Sequence, residues 1–206
     1  MSERHPRAAV LSVGSELLLG DLTDTNATWM SVRLKERGVA VVHHLAVGDD
    51  LDAIVAALRW LAERVDLVVV GGGLGPTSDD LTREAVAAAA GLDLEHREDL
   101  EEAILARFVA MGRAMAPRNR RQARVPAGAT AWPPAGTAPA FAVDLRVVEP
   151  AGPRSVRVVA LPGVPWEAQA LWDDAVGSAL DALGATGGAG SEKQHENKPF
   201  ERCGCG

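Results

Sequence analysis

The chain has 206 residues and a formal charge of −7, a length that suits one domain with a two-sided core and a charge that gives no global positive field for nucleic acid. No apolar run approaches the roughly 20 residues needed to cross a bilayer, and the first residues lack a signal-type apolar core, so a cytoplasmic protein with no membrane partner is expected. The two cysteines, Cys203 and Cys205, stand in the last four residues and cannot staple a fold.

Along the chain, apolar runs of strand length alternate with longer segments of helical period. Residues 8–14, AAVLSVG, read as a first buried strand, and residues 26–37 as a helix pairing Trp29 with Val32 and Met30 with Leu34. Residues 39–48, VAVVHHLAVG, form a second strand. Residues 50–65 follow as a helix with Leu51, Ile54, Val55, Leu58 and Leu61 on one stripe. A third strand, DLVVVGG, covers 66–72. The β-α-β-α-β order implies parallel strands joined by right-handed crossovers, with helices on both faces. Beyond a glycine loop, 79–90 is an alanine-rich helix stopped by Gly91, and 97–111 a helix burying Leu100, Ile104, Leu105 and Phe108. A proline-rich passage covers 117–139. The alternating runs 141–149 and 155–163 flank PAGP as a hairpin, and a last helix over 166–183 turns Leu171, Val176 and Leu180 inward. The expectation is one α/β domain over 1–183, with a flexible linker and disordered tail over 184–206.

The stretch GGGLGPTSDDLTREA sets a glycine loop beside two adjacent acids. Gly72, Gly73 and Gly75, with Thr77 on the same loop, bring backbone close to a phosphate at a helix start, although turn geometry alone also explains glycines at a strand-to-helix turn. Asp79 suits an N-cap or first helical turn. Asp80 beside a polyphosphate would repel it unless it holds a Mg²⁺-like cation that bridges to phosphate oxygens. The AVGDD end of the second strand brings Asp49 to the same sheet edge, with Asp50 as a helix cap. At that edge Ser15, Glu16, Asp24, Thr25 and Asn26 are candidate ligand contacts, the last three also suiting an ordinary helix start. The turns GTAP and LPGVP add Gly136, Thr137 and Gly163. His43 and His44 lie on opposite faces of a strand and read as structural or surface residues, not metal ligands. A C-x-C with His195 at a floppy end lacks the preorganisation of a zinc site.

In this order, VGSELLLGDLTDTNA, VGDD, GGLGPTSDDLTREA, PRNRRQA, GTAP and LPGVPWEA resemble the N-terminal domain of competence-damage-inducible CinA proteins, in the molybdopterin-binding MoaB/Mog superfamily. The resemblance implies a three-layer α/β/α sandwich with a mostly parallel sheet, plus a small β-hairpin, and a homo-oligomer, dimer or trimer. It implies metal-dependent pyrophosphatase action on ADP-ribose or a similar nucleotide, with Mg, Mn or Co. Asp80 and Asp49 would then be catalytic and metal-holding, and Glu84 would support the metal. Molybdopterin adenylyl transfer, and a module that binds a pterin or nucleotide without turnover, are the alternatives. Three departures stand out. Gly71 replaces a hydroxyl residue and removes one phosphate contact, and Ala140 replaces a glycine and adds a Cβ that would alter close ligand approach. The amidase domain that follows in full-length CinA proteins is absent from the sequence, so amidase activity is not expected.

Overall fold

Alternating burial sorts the apolar residues of the central strands onto two faces, as the period of two in a strand requires. In a computed structural model describing residues 5–150 and 152–185, strand β1 (Arg7–Val13) sends Ala9, Leu11 and Val13 to one face and Ala8 and Val10 to the other. Strand β3 (Leu67–Gly71) likewise divides Val68 and Val70 from Leu67 and Val69. With β2 (Ala40–Val47), β6 (Thr130–Trp132), β7 (Ala140–Glu149) and β8 (Gly152–Leu161) they form one six-stranded sheet in the order β2-β1-β3-β8-β7-β6. Strands β2, β1, β3 and β8 run parallel; β7 and β6 continue the sheet antiparallel. The hairpin expected from the sequence is therefore part of the main sheet. Its pairing closes at Glu149 opposite Gly152, tighter than the PAGP turn suggested.

One face is covered by α3 (Leu51–Ala62), α4 (Thr82–Ala90) and α5 (Glu98–Ala110), the other by α2 (Thr25–Glu36) and a C-terminal helical run. That run consists of α6 (Pro165–Trp172), a wide π-type stretch at Asp173–Gly177, and α7 (Ser178–Ala182). It buries Leu171, Val176 and Leu180 as expected, and the extra residue per turn also brings Trp172 and Ala175 into the core. Helices α2 and α3 start where Asp24 and Asp50 cap them, each accepting from the amide three residues on, at Ala27 and Ala53, both at 2.8 Å.

Several expectations need correction. Leu51, Val32 and Leu105 are exposed, because each lies off the narrow stripe that its helix turns to the sheet; Ile54, Leu58, Leu61, Leu100 and Ile104 are the residues buried there. Helix α4 begins at Thr82, three residues later than the run from Asp79 suggested, because Asp80 serves the preceding loop. The loop after β1 contains a short helix, α1 (Ser15–Leu19), which buries none of its residues. The proline-rich passage holds a 3₁₀ turn at Pro117–Ala123 and β5 (Arg124–Pro126), which pairs with β4 (Leu94–His96) in a separate two-stranded sheet. Strands of three residues are too short for periodicity to reveal. Ala140 lies in β7 within the core, so that departure concerns packing and not ligand approach. No helix among the described residues is long and apolar enough to cross a membrane. The tail with Cys203, Cys205 and His195 lies outside the described residues.

Leu58 is fully buried between α3 and the sheet, so Leu58→Ala is expected to lower the unfolding free energy by roughly 2–5 kcal/mol through lost transfer energy and a residual cavity. Urea denaturation checks this, with the midpoint lowered and the slope unchanged.

Candidate functional site

Four parallel strands end at the same edge, and the segments following them enclose a cleft of about 750 Å³, within the usual size of a small-molecule site. Gly14 and Glu16 come from the segment after β1, Asp49 from that after β2, residues 72–77 from that after β3, and Gly163 from that after β8.

The glycine loop is shaped from behind. Arg83, 1 % exposed, donates from Nη1 to the Leu74 carbonyl at 2.7 Å and from Nη2 to the Gly75 carbonyl at 2.8 Å, with a longer contact to the Asp80 carbonyl at 3.4 Å. Burial pulls its pKa down to about 10, with Glu84 opposing and Arg121 adding to the fall, so it remains charged at neutral pH. Thr82 takes the next two carbonyls inward: its hydroxyl donates to Gly72 O at 2.8 Å and its amide to Gly73 O at 3.2 Å. In a trans peptide unit the C=O and the following N–H point in opposite directions. Engaging the carbonyls of Gly72 and Gly73 therefore turns the amides of Gly73 and Leu74 away from α4, and both residues line the cleft. Neither amide has a hydrogen-bond partner among the described residues. They form a small anion-accepting nest.

Only glycine fits this path. Gly72 and Gly73 have φ of +102° and +66°, and a Cβ would overlap the Val13 carbonyl oxygen at the first and the Thr82 hydroxyl at the second. At Gly71 a Cβ would come to 3.3 Å from Cε of Met30, which leaves little space for the hydroxyl side chain of the resembling sequences.

The paired acids have separate duties. Asp80 closes the loop, accepting from the amides of Gly75 and Thr77, both at 2.8 Å, and from the Thr77 hydroxyl at 2.5 Å. Asp79 is exposed and accepts from the Ser78 hydroxyl at 2.9 Å. Asp49 and Ser15 bind reciprocally: the Ser15 amide donates to Asp49 Oδ2 at 2.9 Å and the Asp49 amide to Ser15 Oγ at 3.1 Å. This ties two strand ends together and leaves Asp49 Oδ1 unengaged among the described residues. Asn26 donates to the Gly163 carbonyl at 2.7 Å, joining α2 to the LPG turn.

Of the expected site residues, Glu16, Asn26, Asp49, Gly72, Gly73, Gly75, Thr77, Asp80, Thr137 and Gly163 line the cleft. Ser15 stands behind Asp49, and Gly136 stands behind Glu167. Glu84 is placed off the cleft wall, paired with Arg121 at 2.9 Å, while Arg121 also donates to the Thr77 carbonyl. His43 is stacked edge-on against Trp60, and the exposed His44 lies 2.5 Å from the Ser31 hydroxyl.

Sequence reading missed Arg83, Arg121, Gln122 and Glu167. Gln122 reaches the Leu74 carbonyl at 3.3 Å and, with Arg121, gives PRNRRQA a role as a second support of the loop. Glu167, in the first turn of α6, is 7 % exposed and lines the cleft. Burial raises its pKa above the ordinary carboxylate value, and the backbone amides of Ala138 and Thr137 only partly offset this. The cleft wall thus carries Glu16, Asp24, Asp49, Asp79, Asp80 and Glu167, with no lysine or arginine among its described residues.

The family model described as a probable molybdopterin binding domain matches residues 9–182. A CinA-like protein of Anaeromyxobacter sp. (strain Fw109-5) is 48% identical over 166 residues, covering 80% of this chain and 38% of that protein. One of Frankia casuarinae is 42% identical over 176 residues, covering 82% and 39%. The chain thus spans about two fifths of the length of these relatives. The crystal structure of the protein CinA, of unknown function, from Thermoplasma acidophilum superposes with a TM-score of 0.68 at 35% identity, covering 86% of this chain and 98% of that one. The tungsten cofactor synthesizing protein MoaB from Pyrococcus furiosus shares the fold, with a TM-score of 0.60 at 18% identity, over 90% and 99% of the two chains.

Replacing Arg83 with methionine removes its donors to the Leu74 and Gly75 carbonyls; Leu74 keeps the 3.3 Å contact from Gln122, so the expected cost is about 1–3 kcal/mol for the Gly75 carbonyl left unpaired. The expected result is lower stability in denaturant together with faster amide hydrogen exchange at Gly75 and Thr77, the groups that Asp80 holds. A second prediction concerns pH. Because the folded-state pKa of Glu167 is raised, the native chain holds an extra proton relative to the unfolded chain between the ordinary carboxylate value and the raised one, so this group lowers stability as pH rises through that window. Glu167→Gln should therefore gain stability relative to wild type as pH is raised above the ordinary carboxylate value, measured as the difference between the two denaturation midpoints at each pH.

Proposed function

The chain belongs to the molybdopterin-binding (MoaB/Mog) domain family as a CinA-like member, and from that membership we propose that it is a divalent-metal-dependent nucleotide pyrophosphatase acting on a phosphoanhydride of the ADP-ribose type. The observation that carries the reading is the charge of the cleft: among the described residues, six carboxylates and no basic side chain surround a loop that offers two unengaged amides. A polyphosphate there is repelled unless a divalent cation accompanies it.

The donor set fits such a cation. Mg²⁺ is commonly held by one or two carboxylates, with substrate phosphates and waters completing its octahedron. Asp49 keeps Oδ1 for that purpose, and Asp80 has one lone-pair site beyond the three that its loop uses. Among the described residues no three His, Cys, Asp or Glu side chains converge on one point, so such an ion would depend on substrate phosphates and waters for its remaining ligands. When bound, the ion neutralises phosphate charge and acidifies a water. The amides of Gly73 and Leu74 donate to phosphate oxygens, and Asp49, braced by Ser15, orients the reacting end. Hydrolysis joins the water oxygen to one phosphorus and breaks the bridging P–O bond. ADP-ribose then yields AMP and ribose 5-phosphate, with the water protons passing to the products or to solvent.

A second reading, a module that binds a nucleotide or pterin without turnover, is favoured by one observation: Asp80 is already committed to the loop. Molybdopterin adenylyl transfer uses the same parts, with a pterin phosphate as acceptor in place of water. A cytoplasmic location and a homo-oligomer, dimer or trimer, complete the proposal, with the exposed Leu105 and Val109 of α5 and Trp166 of α6 as available apolar surface.

Incubation with ADP-ribose or ATP, with Mg²⁺, Mn²⁺, Co²⁺ or chelator, and mass spectrometry of the products tests the reading. Metal-dependent release of AMP from ADP-ribose is expected, and Asp49→Asn should reduce it by at least about 100-fold, the scale for losing one preorganised electrostatic contact. ATP consumption only when molybdopterin is supplied would mean transfer, and saturable binding without product would mean the module.

A further inference from the structure

Among the six cleft carboxylates, Glu167 differs from the rest in burial and in surroundings. Asp24 caps α2, Asp49 pairs with Ser15, and Asp80 closes the glycine loop, each through short hydrogen bonds. Glu167 makes no ion pair with any described Lys, Arg or His, although only 7 % of it is exposed. Its position is nevertheless built. The carboxyl group is seated against Gly136, where a Cβ would overlap Oε1, so the GTAP turn leaves room for the acid and nothing more. Thr137 and Ala138 of the same turn border the cleft alongside it, and their backbone amides are its donors within the fold, offsetting only part of the cost of burial. A carboxyl taken out of water without a cation is costly unless donors satisfy it, and the side it presents to the cleft is open to donors from a ligand.

The same features exclude the phosphates as its partner. An ionised carboxylate repels them, no basic side chain among the described residues lines this cleft to intervene, and the unengaged amides lie on the glycine loop. We propose that Glu167 is a specificity-determining residue that accepts hydrogen bonds from the uncharged, donor-bearing part of a nucleotide ligand, a ribose hydroxyl pair or a base amine, while the glycine loop holds the phosphates. This rests on the cleft binding a phosphate-bearing nucleotide, as in the proposed function, but not on its hydrolysing one. A merely structural Glu167, a first-turn acid packed under the GTAP turn, would affect every ligand alike. Recognition affects only ligands that carry the donors.

The experiment is calorimetric titration of wild type and Glu167→Gln, in Mg²⁺, with ADP, 2′,3′-dideoxy-ADP and inorganic pyrophosphate, after thermal unfolding has shown both proteins folded. ADP is expected to bind the variant about tenfold or more weakly, the scale for a hydrogen bond to a charged group, with pyrophosphate affinity unchanged. If dideoxy-ADP binds wild type as weakly as ADP binds the variant, and the substitution weakens it no further, the ribose hydroxyls are the donors. If the variant loses both nucleotides equally and spares pyrophosphate, the base amine is the donor. Equal weakening of all three, no weakening of ADP, or no binding of ADP to wild type would overturn the proposal. Selective loss of ADP binding in a chain that hydrolyses nothing would sustain the role of Glu167 while removing the pyrophosphatase reading.

Discussion

A guanidinium buried under the glycine loop governs the site. Arg83 has traded water for the carbonyls of Leu74 and Gly75, and an arginine is suited to this because its planar fork meets several acceptors at once while keeping its charge. Once those carbonyls and the two taken by Thr82 are drawn inward, peptide planarity leaves the loop amides only the opposite direction. Asp80 then closes the far side of the loop by accepting from Gly75 and Thr77. An arginine behind and an aspartate in front thus hold a glycine-rich segment in a shape it would not keep alone.

This accounts for two adjacent acids beside an anion-receiving loop. One is consumed by the loop and the other faces solvent, so the pair does not act as a unit. The acidity of the cleft comes from this pair together with carboxylates that the segments after β1, β2 and β8 deliver to the same edge, several of them with a structural partner. Capping acids belong at helix starts for reasons of backbone hydrogen bonding, and a fold whose helices start around one cleft gathers them there. A site assembled in this way favours ligands that bring their own cation, and it puts a premium on carboxylates with oxygens to spare. Asp49 retains one, and Glu167 faces the cleft without an ion pair to any described Lys, Arg or His.

The family likeness and the cleft chemistry bear on different questions. The likeness identifies the domain and its fold; relatives that extend well beyond this chain do not by themselves assign it an activity. The charge and hydrogen-bond state of particular side chains limit which chemistry the domain can perform.

What the sequence alone determined is the alternation of buried strands and helices, the parallel order of the first three strands, the helix caps at Asp24 and Asp50, and the gathering of the GSE, GDD and glycine-loop segments at one edge. These follow from local periodicity and capping chemistry, together with the handedness of crossovers. The turns GTAP and LPGVP added Thr137 and Gly163 to the same edge. The tertiary structure alone decided that β7 and β8 extend the main sheet, that β4 and β5 pair, and that Asp80 is spent on its own loop. It also decided that Glu84 faces Arg121 and that Arg83 and Glu167 are buried. Each of these depends on contacts between distant segments, or on which side of a turn a side chain falls. A buried arginine and a surface one look alike in a line of letters, because burial of a charge is set by the carbonyls that surround it in space.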